Sequence, residues 1–290
     1  MTPDKIGLQT YSVWEELSRD FDGTLQRIAS LGFSHVEYFS GLGKNAEEMR
    51  RSLDAAGLEC VSAHCSMAEL LASLDARLDF AARLGVRYLV CAMPWVRDPS
   101  ALRPDPALGP FGVVFAAIEA LTLDDWRWNA EQMNRIGERA HAAGIQLAYH
   151  NHNFEFRTFG AEPAYDLFLR WTDPELVKME LDCGWAQVAG RDPAAYLAAH
   201  PSRFRLLHVR DFEPGFAPSA ELKMTTPDLL GPAVPAVVGK GVVRYPETLR
   251  AARSTGVETC FIERDPFFRR RPTMEMLADD LASLRSLLAE

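Results

Sequence analysis

Residues 144–156, GIQLAYHNHNFEF, contain a pattern that recurs along the whole chain. Gly144 follows the segment WNAEQMNRIGERAHAA, whose apolar residues recur every three or four positions, and a glycine there supplies the left-handed conformation that ends a helix. The apolar run up to Tyr149 then predicts a short buried strand. Two histidines, two asparagines and a glutamate follow it, so chemistry-bearing residues stand where the strand ends.

The same alternation predicts eight strands, at residues 6–10, 35–38, 59–63, 88–92, 146–150, 177–181, 205–209 and 259–263. Amphipathic segments lie between them, and several close in a glycine, such as Gly32, Gly57 or Gly85. Eight strand–helix units favour a parallel sheet, and closing it into a barrel leaves no edge strand exposed. We therefore predict an α/β fold, a single (β/α)8 TIM barrel over residues 1–290, because such barrels occupy about 250 residues.

An open doubly wound sheet is the alternative, but it predicts a GxGxxG loop after the first strand, and the sequence has none there. No linker divides the chain. Two stretches, 93–123 and 212–241, are predicted to be long loops or insertions. Long loops on a barrel usually cover the active face or contact another subunit, so a homodimer is plausible.

Composition narrows the possible partners. The 290 residues carry a net charge of −9, which argues against nucleic acid or an anionic membrane surface as a partner. The chain has no apolar run long enough to cross a bilayer and no N-terminal signal pattern, so we predict a cytoplasmic location. Its five cysteines are odd in number and lack CxxC spacing, which fits neither a disulfide framework nor a zinc ribbon.

If the barrel prediction is right, functional residues should collect at the C-terminal ends of the strands. Polar and aromatic residues do stand at or just beyond the predicted ends: Gln9, Tyr11, Glu37, His64, Trp95, His150, His152, Asp182, His208, Arg210, Glu263 and Asp265. Side chains alternate across a strand, so His150 and His152 should face the same pocket.

Four of these strand ends predict a metal site, built from His150 or Glu155, with Asp182, His208 and Glu263. Imidazole and carboxylate ligands suit one divalent ion such as Mn²⁺, Co²⁺, Mg²⁺ or Zn²⁺. The absence of paired thiolates argues against a structural zinc site.

Seven stretches, taken together and in order, carry a family resemblance: IGLQTYS, LGFSHVEYF, AYHNHNFEF, LDCGWAQVAG, LLHVRDF, VGKGVV and CFIERDPF. The sequence resembles the xylose-isomerase-like TIM-barrel superfamily, in particular its sugar phosphate isomerase/epimerase branch, which includes inosose dehydratase-like proteins. The resemblance spans nearly the whole chain. It implies one divalent metal ion, of which manganese is favoured, and chemistry on a sugar, ketose or cyclic polyol.

The resemblance also implies site residues. Asp182, His208 and Glu263 match the family's ligands from the last three strands. Many relatives have a glutamate where this chain has His150, so we favour His150 as the ligand and Glu155 as a substrate contact, and the exchange of these roles stays open. Arg210 stands where relatives commonly carry a lysine. A guanidinium stays protonated, so Arg210 can hold an oxyanion but is a poor proton carrier.

A metal ion that polarises a carbonyl acidifies the adjacent C–H, and a nearby base can then form an enediolate. The predicted bases are His152, Glu155 and His64, and Glu263 could both bind the ion and move the proton. The predicted substrate contacts are Gln9, Tyr11, Glu37, Trp95, Trp185, Arg210 and Asp265. Trp14 and Phe267 join Trp95 and Trp185 as aromatic residues that could stack on a sugar ring.

Reprotonation of the enediolate predicts isomerisation or epimerisation, whereas loss of a β-hydroxyl predicts a dehydratase or lyase acting on inososes or keto-glycosides. An endonuclease-like phosphodiesterase would need a basic groove, and the acidic charge balance disfavours it. A sugar-binding barrel without catalysis is a third alternative.

Overall fold

The computed structural model describes residues 5–103, 105–107, 109–220, 233–266 and 271–290. Eight parallel strands close into a barrel in the order β1-β8-β7-β6-β5-β4-β3-β2. The strands are β1 (Ile6–Gln9), β2 (His35–Phe39), β3 (Glu59–Cys65), β4 (Tyr88–Cys91), β5 (Gln146–His150), β6 (Val177–Asp182), β7 (Phe204–Val209) and β8 (Thr259–Ile262). Leu8 pairs with Ile262 where the barrel closes, so the predicted (β/α)8 fold is confirmed.

Eleven α-helices surround the barrel within the described residues. They are α1 (Trp14–Arg19), α2 (Phe21–Leu31), α3 (Ala46–Ala56), α4 (Met67–Leu84), α5 (Gly109–Glu119), α6 (Leu123–Ala142), α7 (Ala164–Trp171), α8 (Cys183–Val188), α9 (Pro193–Ala199), α10 (Tyr245–Thr255) and α11 (Thr273–Ala289). Gly32, Gly57 and Gly85 have positive φ and end α2, α3 and α4, as predicted. No helix in these ranges combines the length and apolar character needed to span a bilayer.

The interior of the barrel is filled below its polar end by a small apolar cluster: Val61, Tyr88, Val90, Ala148, Leu206 and Phe261. Side chains two positions apart on a strand share a face, so Ala148 lies beneath His150 and Leu206 beneath His208. Gly7 makes room for this filling, because a Cβ there would lie 2.2 Å from Phe261 Cδ1. The larger core lies between strands and helices, and all five cysteines are free and buried.

The two predicted loops are partly structured insertions. Residues 93–123 include a 3₁₀ turn, Pro99–Ala101, and α5, so the stretch predicted to be a long loop or insertion contains a helix over 109–119. The sequence of α5, GPFGVVFAAIE, is apolar nearly throughout and lacks the polar face that identifies a helix. In the second insertion, Asp211–Phe212 pairs with Pro235–Ala236, and residues 221–232 lie outside the described part of the chain.

Asp211 fastens the second insertion to the end of β7. Its carboxylate accepts hydrogen bonds from the backbone N–H groups of Phe212, Gly239, Gly241 and Val243, at 2.9 to 3.0 Å. A carboxylate that accepts several backbone N–H groups fixes loop conformation strongly. Arg210, the residue before it, is thereby held at the C-terminal end of the barrel.

Candidate metal centre

The C-terminal ends of β5 to β8 bring together His150, Asp182, His208 and Glu263, the predicted metal-binding set. One possible ligand atom from each lies within 4.8 Å of the others, and all four side chains are buried. Parallel register explains the meeting, because Asp182 pairs directly with His208 and strand ends share one edge. Two imidazoles and two carboxylates form a donor set that suits a divalent ion.

Within this group, His208 Nδ1 lies 2.7 Å from Glu263 Oε2 and 3.9 Å from Asp182 Oδ2. Asp182 Oδ2 is buried and accepts no hydrogen bond from the described residues, although Arg210 Nε is 2.8 Å away. A buried carboxylate oxygen without a donor is costly, and a cation would remove that cost. The residues therefore fit a metal ion on grounds of charge, donor type and an unsatisfied ligand atom.

A second group lies beside the first and shares His150 and His208 with it. It adds His64 and Glu180, again with possible ligand atoms within 4.8 Å of one another. Glu180 Oε2 lies 2.8 Å from His64 Nε2, 3.1 Å from His150 Nδ1 and 3.3 Å from His208 Nε2. Three imidazoles thus surround one carboxylate oxygen that is fully shielded from water.

Glu37 closes this network from β2. Its Oε1 lies 2.6 Å from His208 Nε2 and 2.9 Å from His64 Nε2, and it accepts a hydrogen bond from Gln9 Nε2 at 2.8 Å. Its other oxygen accepts the hydroxyl of Ser62. The carboxylate of Glu37 and the amide of Gln9 are therefore engaged by protein groups, although both were predicted to contact substrate.

The carboxylates determine the charge of these imidazoles. Burial alone would lower the pKa of His64, but Glu37 and Glu180 raise it to about 9. Burial likewise opposes charge on His208, yet Glu180, Glu263 and Glu37 raise its pKa well above the ordinary value. His64 is thus protonated near neutral pH, which suits a hydrogen-bond donor rather than a base. An ion bound at His208 would displace a proton, because imidazole binds metals through an unprotonated nitrogen.

His152 lies beside the ligand group and differs from its neighbours. Burial of its ring lowers its pKa, so the imidazole is neutral. Its Nδ1 is buried and has no hydrogen-bond partner among the described residues. The ring stacks on Phe154 with centroids 5.2 Å apart and lies 5.0 Å from the ring of His150. A neutral imidazole with a free nitrogen is what proton abstraction requires.

Glu155 is not part of the ligand group. Its carboxylate accepts hydrogen bonds from Tyr149 Oη and from the backbone N–H of His152, both at 2.8 Å. The ring of Tyr149 packs on Phe168 of α7, on the outer side of the barrel wall. Burial raises the pKa of Glu155 to about 8, against the effect of these hydrogen bonds. Of the two predicted ligands from β5, the structure brings His150 to the other three residues.

The sequence and the fold of this chain are similar to those of known proteins. The profile of the xylose isomerase-like TIM barrel family matches residues 25–287. The chain belongs to this family. It is 23% identical to an inosose dehydratase of Geobacillus thermodenitrificans over 257 residues, which are 85% of this chain and 83% of that one. The relatives of this chain are enzymes, and this chain is an enzyme as well.

Two solved structures show the same fold. A sugar phosphate isomerase/epimerase from Parabacteroides distasonis is 26% identical, with a TM-score of 0.72 and coverage of 97% of this chain and 94% of that one. A xylose isomerase-like TIM barrel protein from Mycobacterium smegmatis, in complex with magnesium, is 16% identical, with a TM-score of 0.64 and coverage of 98% and 96%.

At the rim of the site in this family member, Arg210 contacts three carboxylates. Its Nη1 lies 2.5 Å from Asp265 Oδ2, Nη2 contacts Glu263, and Nε faces Asp182. The guanidinium also lies over the ring of Trp185, at 5.3 Å. Gly184 leaves the space for this side chain, because a Cβ there would lie 2.3 Å from Arg210 Cγ.

The aromatic residues predicted to contact substrate differ in their exposure and in their partners. Trp185 is only 1% exposed and forms a wall beneath Arg210, so it offers no open stacking surface. The backbone of Trp95 exchanges two 2.8 Å hydrogen bonds with Asn129 of α6, which fixes the first insertion. Tyr11 packs edge-on against Phe39, and burial together with Asp265 and Glu263 raises its pKa. Trp14 is 37% exposed, and Phe267 lies outside the described residues.

The sequence prediction missed Glu180. A signal for it was present, because alternation along VKMELD places Glu180 and Asp182 on the same face of β6. A glutamate in the middle of a buried strand is itself unusual and requires a partner. Ser62 and Asp211 carried no comparable signal, since their partners come from distant parts of the chain.

Proposed function

We propose that the chain is a divalent-metal-dependent isomerase or epimerase of a sugar or polyol, acting on a keto-sugar or sugar phosphate through an enediolate. The observation that carries this proposal is the convergence of His150, Asp182, His208 and Glu263. The functions of the relatives support the substrate class, since one is a sugar phosphate isomerase/epimerase and another an inosose dehydratase.

In this proposal His150, Asp182, His208 and Glu263 hold one ion. When bound, the ion polarises the substrate carbonyl and stabilises the negative charge that develops during proton removal. Manganese is our prediction for the occupant, with cobalt, magnesium and zinc as alternatives, because mixed N/O sites discriminate weakly and availability decides. The magnesium in the mycobacterial neighbour supports a divalent ion in this fold.

His152 is the proposed general base. It is neutral, its Nδ1 is free of protein partners, and it adjoins the ligand group through His150. In isomerisation it would accept a proton from the carbon next to the carbonyl and return it to the neighbouring carbon. In epimerisation it would accept the proton, and a donor on the opposite face would supply the new one. Glu263 suits this role less well: burial would raise its pKa, but Arg210 and His208 hold it well below its usual range.

Arg210 is the proposed substrate-orienting cation. Burial opposes its charge, but Asp182, Glu263 and Asp265 raise its pKa, so it keeps its proton throughout the reaction. A permanently charged guanidinium can bind a substrate oxygen without competing for the transferred proton. Asp265, which contacts Arg210 directly, would keep this side chain at the rim.

Dehydration is the second candidate reaction, and it is favoured by the inosose dehydratase relative. Its first step is the same, since His152 would again remove a proton next to a ketone. The two reactions diverge afterwards: a β-hydroxyl leaves as water in dehydration, whereas the carbon skeleton keeps all its atoms in isomerisation.

One experiment separates these reactions. The purified enzyme is loaded with Mn²⁺ and incubated in D₂O with a panel of ketoses, sugar phosphates and inososes, and products are followed by NMR and mass spectrometry. Isomerisation or epimerisation gives a product that keeps all the heavy atoms of the substrate and carries solvent deuterium to the extent that the removed proton exchanges with solvent before it is returned. Dehydration gives a product lighter by one water.

The matched control is His152→Gln, which should bind Mn²⁺ as the parent does while deuterium incorporation is lost. If the metal-loaded enzyme neither converts any member of the panel nor exchanges a proton with it, the proposed proton abstraction is wrong. If His152→Gln exchanges at the parent rate, the metal site stands but the assignment of the base does not.

A further inference from the structure

We propose that Glu180 is a positioning residue of the metal centre: it binds His150 Nδ1–H and thereby presents His150 Nε2, backed by a buried negative charge, to the ion. This inference rests on the metal site proposed above and deepens it. Glu180 is not one of the four residues assigned to hold the ion, and it acts through His150.

The geometry gives Glu180 this position. Its Oε2 lies 3.1 Å from His150 Nδ1, which leaves Nε2 as the nitrogen of His150 available to an ion. His64 Nε2 contacts the same oxygen at 2.8 Å and holds it in place from β3. Because one ring nitrogen is engaged by a carboxylate, the other must be the unprotonated one in the neutral ring.

His208, like His150, has a carboxylate at one ring nitrogen while its other nitrogen faces the proposed site. Its Nε2 lies 2.6 Å from Glu37 Oε1, while its Nδ1 faces Glu263 and Asp182. Each imidazole of the proposed site therefore has a carboxylate behind it. Metal-binding histidines generally have such partners, which fix the tautomer and the ring orientation and make the ligand more basic.

Charge supplies a second reason for Glu180. The four proposed ligands include two carboxylates and two imidazoles, and a neutral imidazole adds no negative charge to the site. Glu180 is completely buried, and burial together with Glu37 raises its pKa to about 7, whereas His208 and His64 beside it favour the charged form. Water screens that charge little. Glu180 Oε1 has no hydrogen-bond partner among the described residues. This orphaned oxygen indicates that the carboxylate is not present simply to satisfy neighbouring donors.

Removal of the charge tests the proposal. Glu180→Gln keeps the size of the side chain and can still accept the proton of His150 Nδ1, but it carries no charge. Glu180→Leu removes both the charge and the acceptor. Loss of such a partner typically weakens metal binding about 10- to 100-fold, so we expect a loss in this range for Gln and a larger one for Leu.

The measurement is the Kd of the full-length, metal-stripped protein for Mn²⁺ and Co²⁺, obtained by competition with a chromophoric chelator. The visible absorption spectrum of the Co²⁺ protein is recorded in parallel, because a merely structural role would not change the ligand field. Glu258→Gln, the same substitution at the opposite end of the barrel, serves as the control and should match the parent in both measurements.

An unchanged Kd and an unchanged Co²⁺ spectrum in Glu180→Gln would overturn the inference. Asp182→Asn separates this failure from failure of the metal site itself. If the parent binds no divalent ion, the proposed function fails; if the parent binds, Asp182→Asn does not and Glu180→Gln binds like the parent, only the role of Glu180 is wrong. Should the Gln and Leu variants not fold, Glu180→Asp withdraws the carboxylate from His150 by one methylene and must show the same direction of change.

Discussion

The two ends of the barrel use the same side-chain types in different surroundings. At the end where the strands begin, Arg87 and Arg205 pair with Glu258, and His35 lies 3.3 Å from Glu59, whose side chain is 64% exposed. At the end where the strands finish, His64, His150 and His208 meet Glu37 and Glu180, whose side chains are completely buried.

The two ends should therefore differ in whether their charged groups matter for stability or for function. Ion pairs that water reaches, such as Arg87 with Glu258, are screened and worth about 0–1 kcal/mol each, so we expect the first end to tolerate change. Buried ionised groups lose hydration that their partners only partly restore, and such clusters are weak evidence for stability. We infer that the buried charges at the second end serve the proposed metal binding and catalysis. Substitutions at the two ends should therefore differ in both the size and the kind of their effects.

The largest effect is expected for Asp182→Asn. It removes one of two charged ligands and the unsatisfied oxygen that faces the site. Loss of metal binding removes several kcal/mol of transition-state stabilisation, so kcat should fall about 10³-fold. Bound metal is measured by elemental analysis after gel filtration, alongside turnover. Full metal content with normal turnover would contradict the assignment.

A smaller loss, confined to catalysis, is expected for His152→Gln. A general base contributes about 10²- to 10⁴-fold, so kcat should fall by about 10² or more while KM and metal content change little. Steady-state kinetics with parallel metal analysis measures this split. A variant that loses metal together with activity would show that His152 helps to hold the ion, and His152 would then join the four proposed ligands.

The proximity of His152 to the four proposed ligands could be predicted, because alternation and parallel strands are strong rules. Both place His150, Asp182, His208 and Glu263 at one edge, whatever the details of the loops. The direction of the Glu155 side chain could not be predicted from strand alternation. Glu155 lies in a short 3₁₀ turn, Phe154–Phe156, where strand alternation no longer applies, and the turn directs its carboxylate to Tyr149.

Glu37 and Gln9 show a second limit of the sequence. Gln9 ends β1 as predicted, whereas Glu37 lies in the middle of β2. The partners of Glu37 were not predicted, because its contact with His208 joins residues 171 positions apart. Only the closed barrel brings β2 close to β7, and no local pattern encodes that pairing. The helix α5 was missed for a different reason, since its sequence has no polar face.

Glu155→Gln should have a moderate effect on stability and little on catalysis. Burial raises the pKa of Glu155 to about 8, above its ordinary value in the unfolded chain. Between these two values the folded state keeps a proton that the unfolded state has lost, so this group's contribution to stability falls as pH rises. The parent should lose up to about 1.4 kcal/mol per pH unit relative to the variant from pH 6 to pH 8.

The free energy of unfolding of metal-free parent and variant, measured by urea denaturation at several pH values, tests this sign. Turnover of Glu155→Gln should stay within about threefold of the parent, because the carboxylate lies outside the ligand group. A collapse of turnover would restore Glu155 as a catalytic residue and extend the functional end of the barrel to the outer side of β5.

The smallest effect is expected for Glu258→Gln at the opposite end, where one carboxylate pairs with Arg87 and Arg205. We expect a loss of about 1 kcal/mol or less in the free energy of unfolding, reduced further by salt, and no change in kcat.

Glu37→Gln is the corresponding substitution at the buried end and should lower metal affinity about 10-fold or more through His208. If Glu37→Gln and Glu258→Gln have equal effects on metal affinity, the burial of Glu37 has no special role in metal binding. The buried charges at the C-terminal end would then need another explanation.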